Sequence, residues 1–297
     1  MTVDPEAPGF YHCVSRCVRR AWLCGDDPAT GRNFDHRRGW IEARLLDLAQ
    51  SFAVSLYAWA VMSNHSHVVL RIDPGAADTW SDEDVARRWA RLSRGIEPMS
   101  EAEQERRARV LLMQPDRLAA LRQRLGSLSW FMRFLNEAVA RAANAEDDCT
   151  GRFWEGRYKC QALLDESAVL ACMTYVDLNP IRAGIADTLK DSDFTSIQRR
   201  LRAVDRGAVP RDALLLPLTG PGTGGPELTV RAYVELVART GRSLSTPKIP
   251  AGIRASPDWW TGCVLRIEEV FGAAVGLPVS LQRFAITTGR SRLRGLA

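Results

Sequence analysis

Tyr57-Ala-Trp-Ala-Val-Met-Ser-Asn-His65-Ser-His67-Val-Val-Leu-Arg71 decides the fold of this chain. Apolar residues flank a short polar break at Ser63 and Asn64, so the stretch reads as a strand, a tight turn and a second strand. Side chains at i and i+2 of a strand share a face, so His65 and His67 face together and Ser66 faces away. Only four histidines occur in 297 residues, and two of them sit here. Paired imidazoles on a rigid strand suit half of a metal site. They equally suit two polar residues opening an ordinary strand.

Outward from this pair, the sequence suggests an alternation of strands and helices. Residues 9–18 are aromatic and β-branched and predict an opening strand. The apolar positions Trp40, Ile41, Leu45, Leu46, Leu48 and Ala49 predict an amphipathic helix over 36–50. Residues 74–127 read as a helical insertion, with Ser81 as an N-cap before an acidic first turn and Ser100/Glu103 as a capping box. Trp130, Phe131, Phe134, Leu135, Ala138 and Val139 predict a helix over 128–144. Residues 151–164 form a loop feeding a strand. Asp165 caps a helix over 166–178 that is expected to stop against Asn179-Pro180.

On that last helix, Tyr175 and Asn179 lie one turn apart on a face of small residues (Ala168, Ala171, Cys172). Val169, Leu170, Met173 and Val176 lie opposite and dock the helix. Tyr175 is either a core tyrosine whose hydroxyl finds a partner or a phenol presented to a ligand.

Composition sets the bounds. A chain of this length buries a full core, and 46% hydrophobic with 25% charged residues is ordinary for a globular protein. No apolar run approaches a membrane span. The N-terminus resembles no signal peptide, and seven scattered cysteines form no disulfide framework, so a soluble cytoplasmic protein is expected. His12 with Cys13, Cys17 and Cys24 matches no zinc spacing. Gly220-Pro-Gly222-Thr-Gly-Gly225 has the spacing of a dinucleotide fingerprint, but prolines break its strand–turn–helix context. The net charge of +5 permits a polyanionic partner. Arginine clusters near aromatics tilt that partner toward nucleic acid, with Arg16, Arg19, Arg152, Arg157 and Lys159 as candidate phosphate contacts.

Taken together, three segments resemble the single-tyrosine HUH transposases, in particular the REP-associated (RAYT-like) group. They are Trp59-Ala-Val-Met-Ser-Asn-His65-Ser-His67-Val-Val-Leu, Phe153-Trp-Glu-Gly-Arg-Tyr, and Tyr175-Val-Asp-Leu-Asn179-Pro-Ile-Arg-Ala-Gly184. The resemblance spans residues 9 to about 200 and implies an α+β fold, an antiparallel ferredoxin-like sheet flanked by helices. It implies a catalytic domain, expected over 1–205. Beyond it, Pro210, Pro217, Pro221 and Pro226 with interspersed glycines predict a linker over 206–226, and residues 227–240 and 258–273 predict short helices of a small C-terminal module over 227–297, outside the minimal family domain. The resemblance further implies Tyr175 as nucleophile, His65, His67 and Asn179 as ligands of Mg²⁺ or Mn²⁺, and single-stranded DNA, hairpin-bearing, as substrate cleaved through a 5′-phosphotyrosine. Ser66 stands where the family usually has a hydrophobic residue. A relaxase-like or replication-initiator nuclease is the nearest alternative, although no second tyrosine lies on the Tyr175 helix. A DNA-binding protein that no longer cuts is the other. Monomer and homodimer both remain open.

Overall fold

The computed structural model describes residues 3, 4, 6–18, 23–27, 31–93, 95–210, 212–219, 226–242, 249, 250, 252–290 and 293–295. The elements run β1 (Gly9–Arg16), α1 (His36–Ser51), β2 (Val54–Val61), β3 (His65–Ile72), α2 (Pro74–Asp78), α3 (Asp82–Arg91), α4 (Glu101–Leu112), α5 (Pro115–Leu125) and α6 (Leu128–Glu146). They continue with β4 (Lys159–Leu163), α7 (Glu166–Arg182), α8 (Ser196–Asp205), α9 (Val230–Arg242), α10 (Pro257–Val270), β5 (Ala274–Val275) and α11 (Pro278–Thr288).

The sheet order is β2-β3-β1-β4-β5. The first four strands pair antiparallel, while β5 adds a parallel edge against β4. The sheet is therefore mixed and mostly antiparallel: the α+β class with flanking helices is as expected, and the parallel edge strand departs from the expected antiparallel ferredoxin-like sheet. The extra strand comes from the C-terminal segment, read from sequence as purely helical; two residues are too short a run to show a period-2 pattern.

Register fixes the two faces. Val14 lies opposite His67 and Arg16 opposite His65, while His12 lies opposite both Val69 and Gln161. Directly opposed residues share a face, so His12, Arg16, His65, His67 and Gln161 all project from one side. Ser15 and Ser66 project from the other, where Ser15 Oγ accepts from Asn136 of α6 at 2.9 Å. On that side Trp59 donates its indole N–H to Glu42 of α1 at 2.9 Å. Helices thus cover both faces, with α1 and α6 on the Ser66 side and α7 on the histidine side.

Helix α7 departs from the sequence reading in two ways. It continues through Asn179-Pro180 to Arg182. Proline in a helix interior costs about 3 kcal/mol. Val169, Leu170, Met173 and Val176 are each buried, and at about 1.5–3 kcal/mol per buried side chain they outweigh that cost. Asn179 therefore stays in helical register with Tyr175. Secondly, α7 is buried all round, because its small-residue face is covered by α10. The insertion helix α3 carries the full capping box at Ser81 and Asp84, whereas Ser100 receives only the Glu103 N–H.

The C-terminal elements share one hydrophobic core with the sheet: Tyr233, Leu236, Trp260, Cys263 and Phe271 belong to the same buried cluster as Val69 and Val176. Between α8 and α9, Leu218 is buried and Tyr57 donates to the Pro217 carbonyl at 2.7 Å. Residues 220–225, with the glycine-rich spacing, lie outside the described residues. Among the described residues no helix is long and apolar enough to cross a membrane, and no disulfide joins the seven cysteines.

Candidate active site

The site assembles where α7 crosses the histidine face of the sheet. His65 and His67 have ring centroids 4.7 Å apart, and the ring of Tyr175 stands edge-on to His67 at 5.6 Å. Asn179, one turn beyond, lies against the Tyr175 hydroxyl. The four residues singled out from sequence thus meet within one chain.

Sequence reasoning missed three further members. His12 lies end to end with His67, ring planes 12° apart and centroids 5.2 Å apart, its Nε2 3.0 Å from His67 Nδ1. Gln161 places its Oε1 3.0 Å from His12 Nδ1. Glu268 of α10 accepts a hydrogen bond from the Tyr175 hydroxyl at 3.1 Å. Its carboxylate lies 3.8 Å from His67 Nδ1, too far to compete with His12 for that proton. His12 was legible in principle, as one of four histidines and on a strand with His12, Val14 and Arg16 alternating. Glu268 carried no local signal.

A local break delivers Glu268. Arg266 has non-helical backbone angles (φ −144, ψ 39) and kinks α10. Just before the kink, Arg182 of α7 donates to the Val264 carbonyl at 2.9 Å and also to that of Leu265. The same guanidinium lies 5.2 Å from the Tyr175 ring centroid, within cation–π range. Arg182 therefore ties the turn before Glu268 to the helix of Tyr175.

Burial governs the electrostatics. His12 is fully buried and His67 is 1% exposed; desolvation lowers both pKa values, and the neighbouring rings of His65 and His12 push His67 further down. His65 is pushed down to about 4 by burial and by the Arg16 charge across the strand. All three imidazoles are accordingly neutral at neutral pH, the form that binds metals. Tyr175, 8% exposed, moves the other way: burial, then the Glu268 charge, raise its pKa well above that of an ordinary phenol.

Two buried polar atoms here have no partner, His67 Nε2 and Asn179 Nδ2. Buried polar atoms are ordinarily paired, and an Asn amide presents its oxygen to the same spot after a flip. His65 Nδ1 is paired with Asn64 Oδ1, which leaves its Nε2 as the remaining ring nitrogen. Two imidazole nitrogens and an amide oxygen fit a divalent ion that keeps open positions. Among the described residues, no three His, Cys, Asp or Glu side chains are gathered to hold a metal, so the fit rests on Asn179 as third ligand. Cys13, on the opposite face from His12, does not join the set.

The candidate phosphate contacts divide. Arg16 sits opposite His65, and Lys159 is exposed and shares the histidine face through its pairing with Val14. A cavity of about 380 Å³ beside the site is lined by His12, Lys159, Gln161, Glu268 and Arg294. Arg152 and Arg157 are exposed on the loop before β4, where Arg157 lines a separate groove with Arg133 of α6. Arg19 lies outside the described residues. Trp154 lines the same groove as Arg157, half-buried, with its indole N–H donating to the Asn136 carbonyl at 2.8 Å.

No protein-family model matches the chain, and no curated protein matches it significantly. Among solved structures it is similar to a REP-associated tyrosine transposase bound to a REP hairpin, with 13% identity, a TM-score of 0.39, and coverage of 74% of this chain and 93% of that one.

Proposed function

We propose that the protein is a metal-dependent single-stranded DNA endonuclease and strand transferase of the single-tyrosine HUH type, acting on hairpin-bearing DNA. One observation carries the reading. The Tyr175 and His67 rings stand 5.6 Å apart on one chain, and His67 Nε2 is buried there without a partner.

Tyr175 Oη attacks a backbone phosphorus as the P–O3′ bond breaks. The products are a 5′-phosphotyrosine and a free 3′ hydroxyl, whose oxygen takes a proton from solvent. A phenol with a raised pKa is not ionised before it attacks, so its proton must leave during the step. Glu268, already hydrogen-bonded to that hydroxyl, is placed to accept it. His65, His67 and Asn179 would hold Mg²⁺ or Mn²⁺, which as a Lewis acid supplies polarisation of the phosphate and charge stabilisation. Because the phosphotyrosine conserves the diester, a 3′ hydroxyl can attack it in reverse and rejoin strands without a nucleotide cofactor. The contacts within one chain favour a tyrosine acting in cis, in a monomer or in each half of a homodimer.

The test uses labelled hairpin-bearing single-stranded DNA and Mn²⁺. A covalent adduct should form, and should be lost in Tyr175→Phe and in His65→Ala; an adduct undiminished in Tyr175→Phe rejects the assignment. A second reading, hairpin binding without cleavage, draws on the cover that α10 places over Tyr175. Tight binding with no adduct in either Mg²⁺ or Mn²⁺ would favour it.

A further inference from the structure

We infer that His12 and Gln161 are positioning residues that fix the ring tautomer of His67, so that its Nε2 lone pair faces the site. The argument follows hydrogen-bond polarity along the chain of side chains. Gln161 Nε2 lies 3.2 Å from the Phe271 carbonyl and 2.9 Å from that of Gly272. Two carbonyl oxygens can only accept, so this end of the amide is the NH₂ group, and the end facing His12 is the oxygen. His12 Nδ1, 3.0 Å from that oxygen, must therefore carry a proton. A fully buried imidazole is neutral, so His12 Nε2 has only a lone pair to offer. His67 Nδ1, 3.0 Å away, donates to it, and His67 Nε2 is left bare. That is the buried atom without a partner.

A purely structural polar network satisfies every member, because a half-satisfied one costs more than an apolar core. This network is satisfied at Gln161 and His12 and ends on an unpaired acceptor beside Tyr175. The pattern matches an outer-shell group that orients a ligand histidine and sets which nitrogen binds. The metal consequence rests on the proposed function; the tautomer does not. The backbone carbonyls that polarise the relay come from the turn between α10 and β5, so the C-terminal segment enters the site twice, here and through Glu268.

Two measurements on the full chain test this. In the metal-free protein with ¹⁵N-labelled histidine, long-range ¹H–¹⁵N spectra should show His67 protonated at Nδ1 and bare at Nε2. His12→Gln, which offers both an oxygen to His67 and an NH₂ to Gln161, should keep that pattern; His12→Leu and Gln161→Leu should lose it. By calorimetry with Mn²⁺ and no DNA, His12→Leu should bind about 10–100-fold more weakly, with His12→Gln close to wild type and circular dichroism unchanged. A wild-type His67 carrying its proton on Nε2 overturns the inference, as does a folded His12→Leu that binds Mn²⁺ like wild type. Wild-type protein that binds no Mn²⁺ rejects the metal reading instead, and the wild-type spectrum then decides the relay, even if the leucine variants do not fold.

Discussion

The Tyr175 hydroxyl donates to Glu268 Oε1 across 3.1 Å, joining residues 93 positions apart. A carboxylate in this place has two opposed effects. Its charge disfavours the phenolate at rest, and in the proposed reaction its oxygen would accept the proton as the phenol attacks. The raised pKa of Tyr175 makes proton acceptance the requirement that decides, since almost no phenolate exists beforehand. Glu268→Gln is therefore expected to slow adduct formation by about 10²-fold, within the usual range for a general base, with hairpin affinity unchanged. Single-turnover kinetics check this. A faster adduct in Glu268→Gln would identify the carboxylate as a brake.

The three neutral histidines make stability depend on pH. His12, His65 and His67 all have folded pKa values below the ordinary imidazole value of 6.5, with His65 near 4. Below about pH 6.5 the unfolded rings take up protons that the folded rings refuse. Stability is thus fully present above that pH and is lost as pH falls, by about 1.4 kcal/mol per unit for each ring in this regime. Urea unfolding in EDTA at pH 7.5 and 5.0 should show the drop, and His12→Gln should reduce its slope. Equal stability at both pH values would contradict neutral burial.

Asp177, two residues beyond the tyrosine, is a structural hub. It is fully buried and accepts from Tyr233 Oη at 2.6 Å, from Ser196 Oγ at 2.5 Å and from the Ile197 N–H at 3.1 Å. Arg200 lies 3.4 Å away. These contacts join α7 to α8 and α9. Asp177→Ala leaves two buried hydroxyls and the Ile197 N–H without their acceptor, while Arg200 keeps its bond to the Tyr57 carbonyl, and should destabilise the protein by about 3 kcal/mol or more. Chemical denaturation measures it; a loss below about 1 kcal/mol would show that the hub relaxes.

The legible part of the site is the part that depends on short-range geometry. His65 and His67 share a face through the strand period of two, and Tyr175 and Asn179 share one through the helical turn. Their spacing needs no tertiary knowledge. His12, Gln161 and Glu268 escaped because their positions depend on register between distant strands and on a kink. His12 meets His67 only because β1 pairs with β3 in one register; a shift by one residue would turn it to the other face. Proline misled for a related reason: the residue before it is biased out of helix locally, and only burial of the whole of α7 overrides that bias.

Arg182 is the remaining link between the helix of Tyr175 and the cover above it. Its bonds to the Val264 and Leu265 carbonyls fall just before the kink that aims Glu268. Hydrogen bonds from a charged group contribute about 1.5–3 kcal/mol, so their loss should act first on α10 and leave the sheet intact. In Arg182→Met, hydrogen exchange should accelerate over residues 264–270 while β1 and β3 keep wild-type protection. Because Glu268 would then be held less firmly against Tyr175, the variant should also lose adduct formation in proportion to that local opening. If exchange rises equally across the sheet, Arg182 supports the whole fold; if 264–270 are unchanged, the kink holds itself.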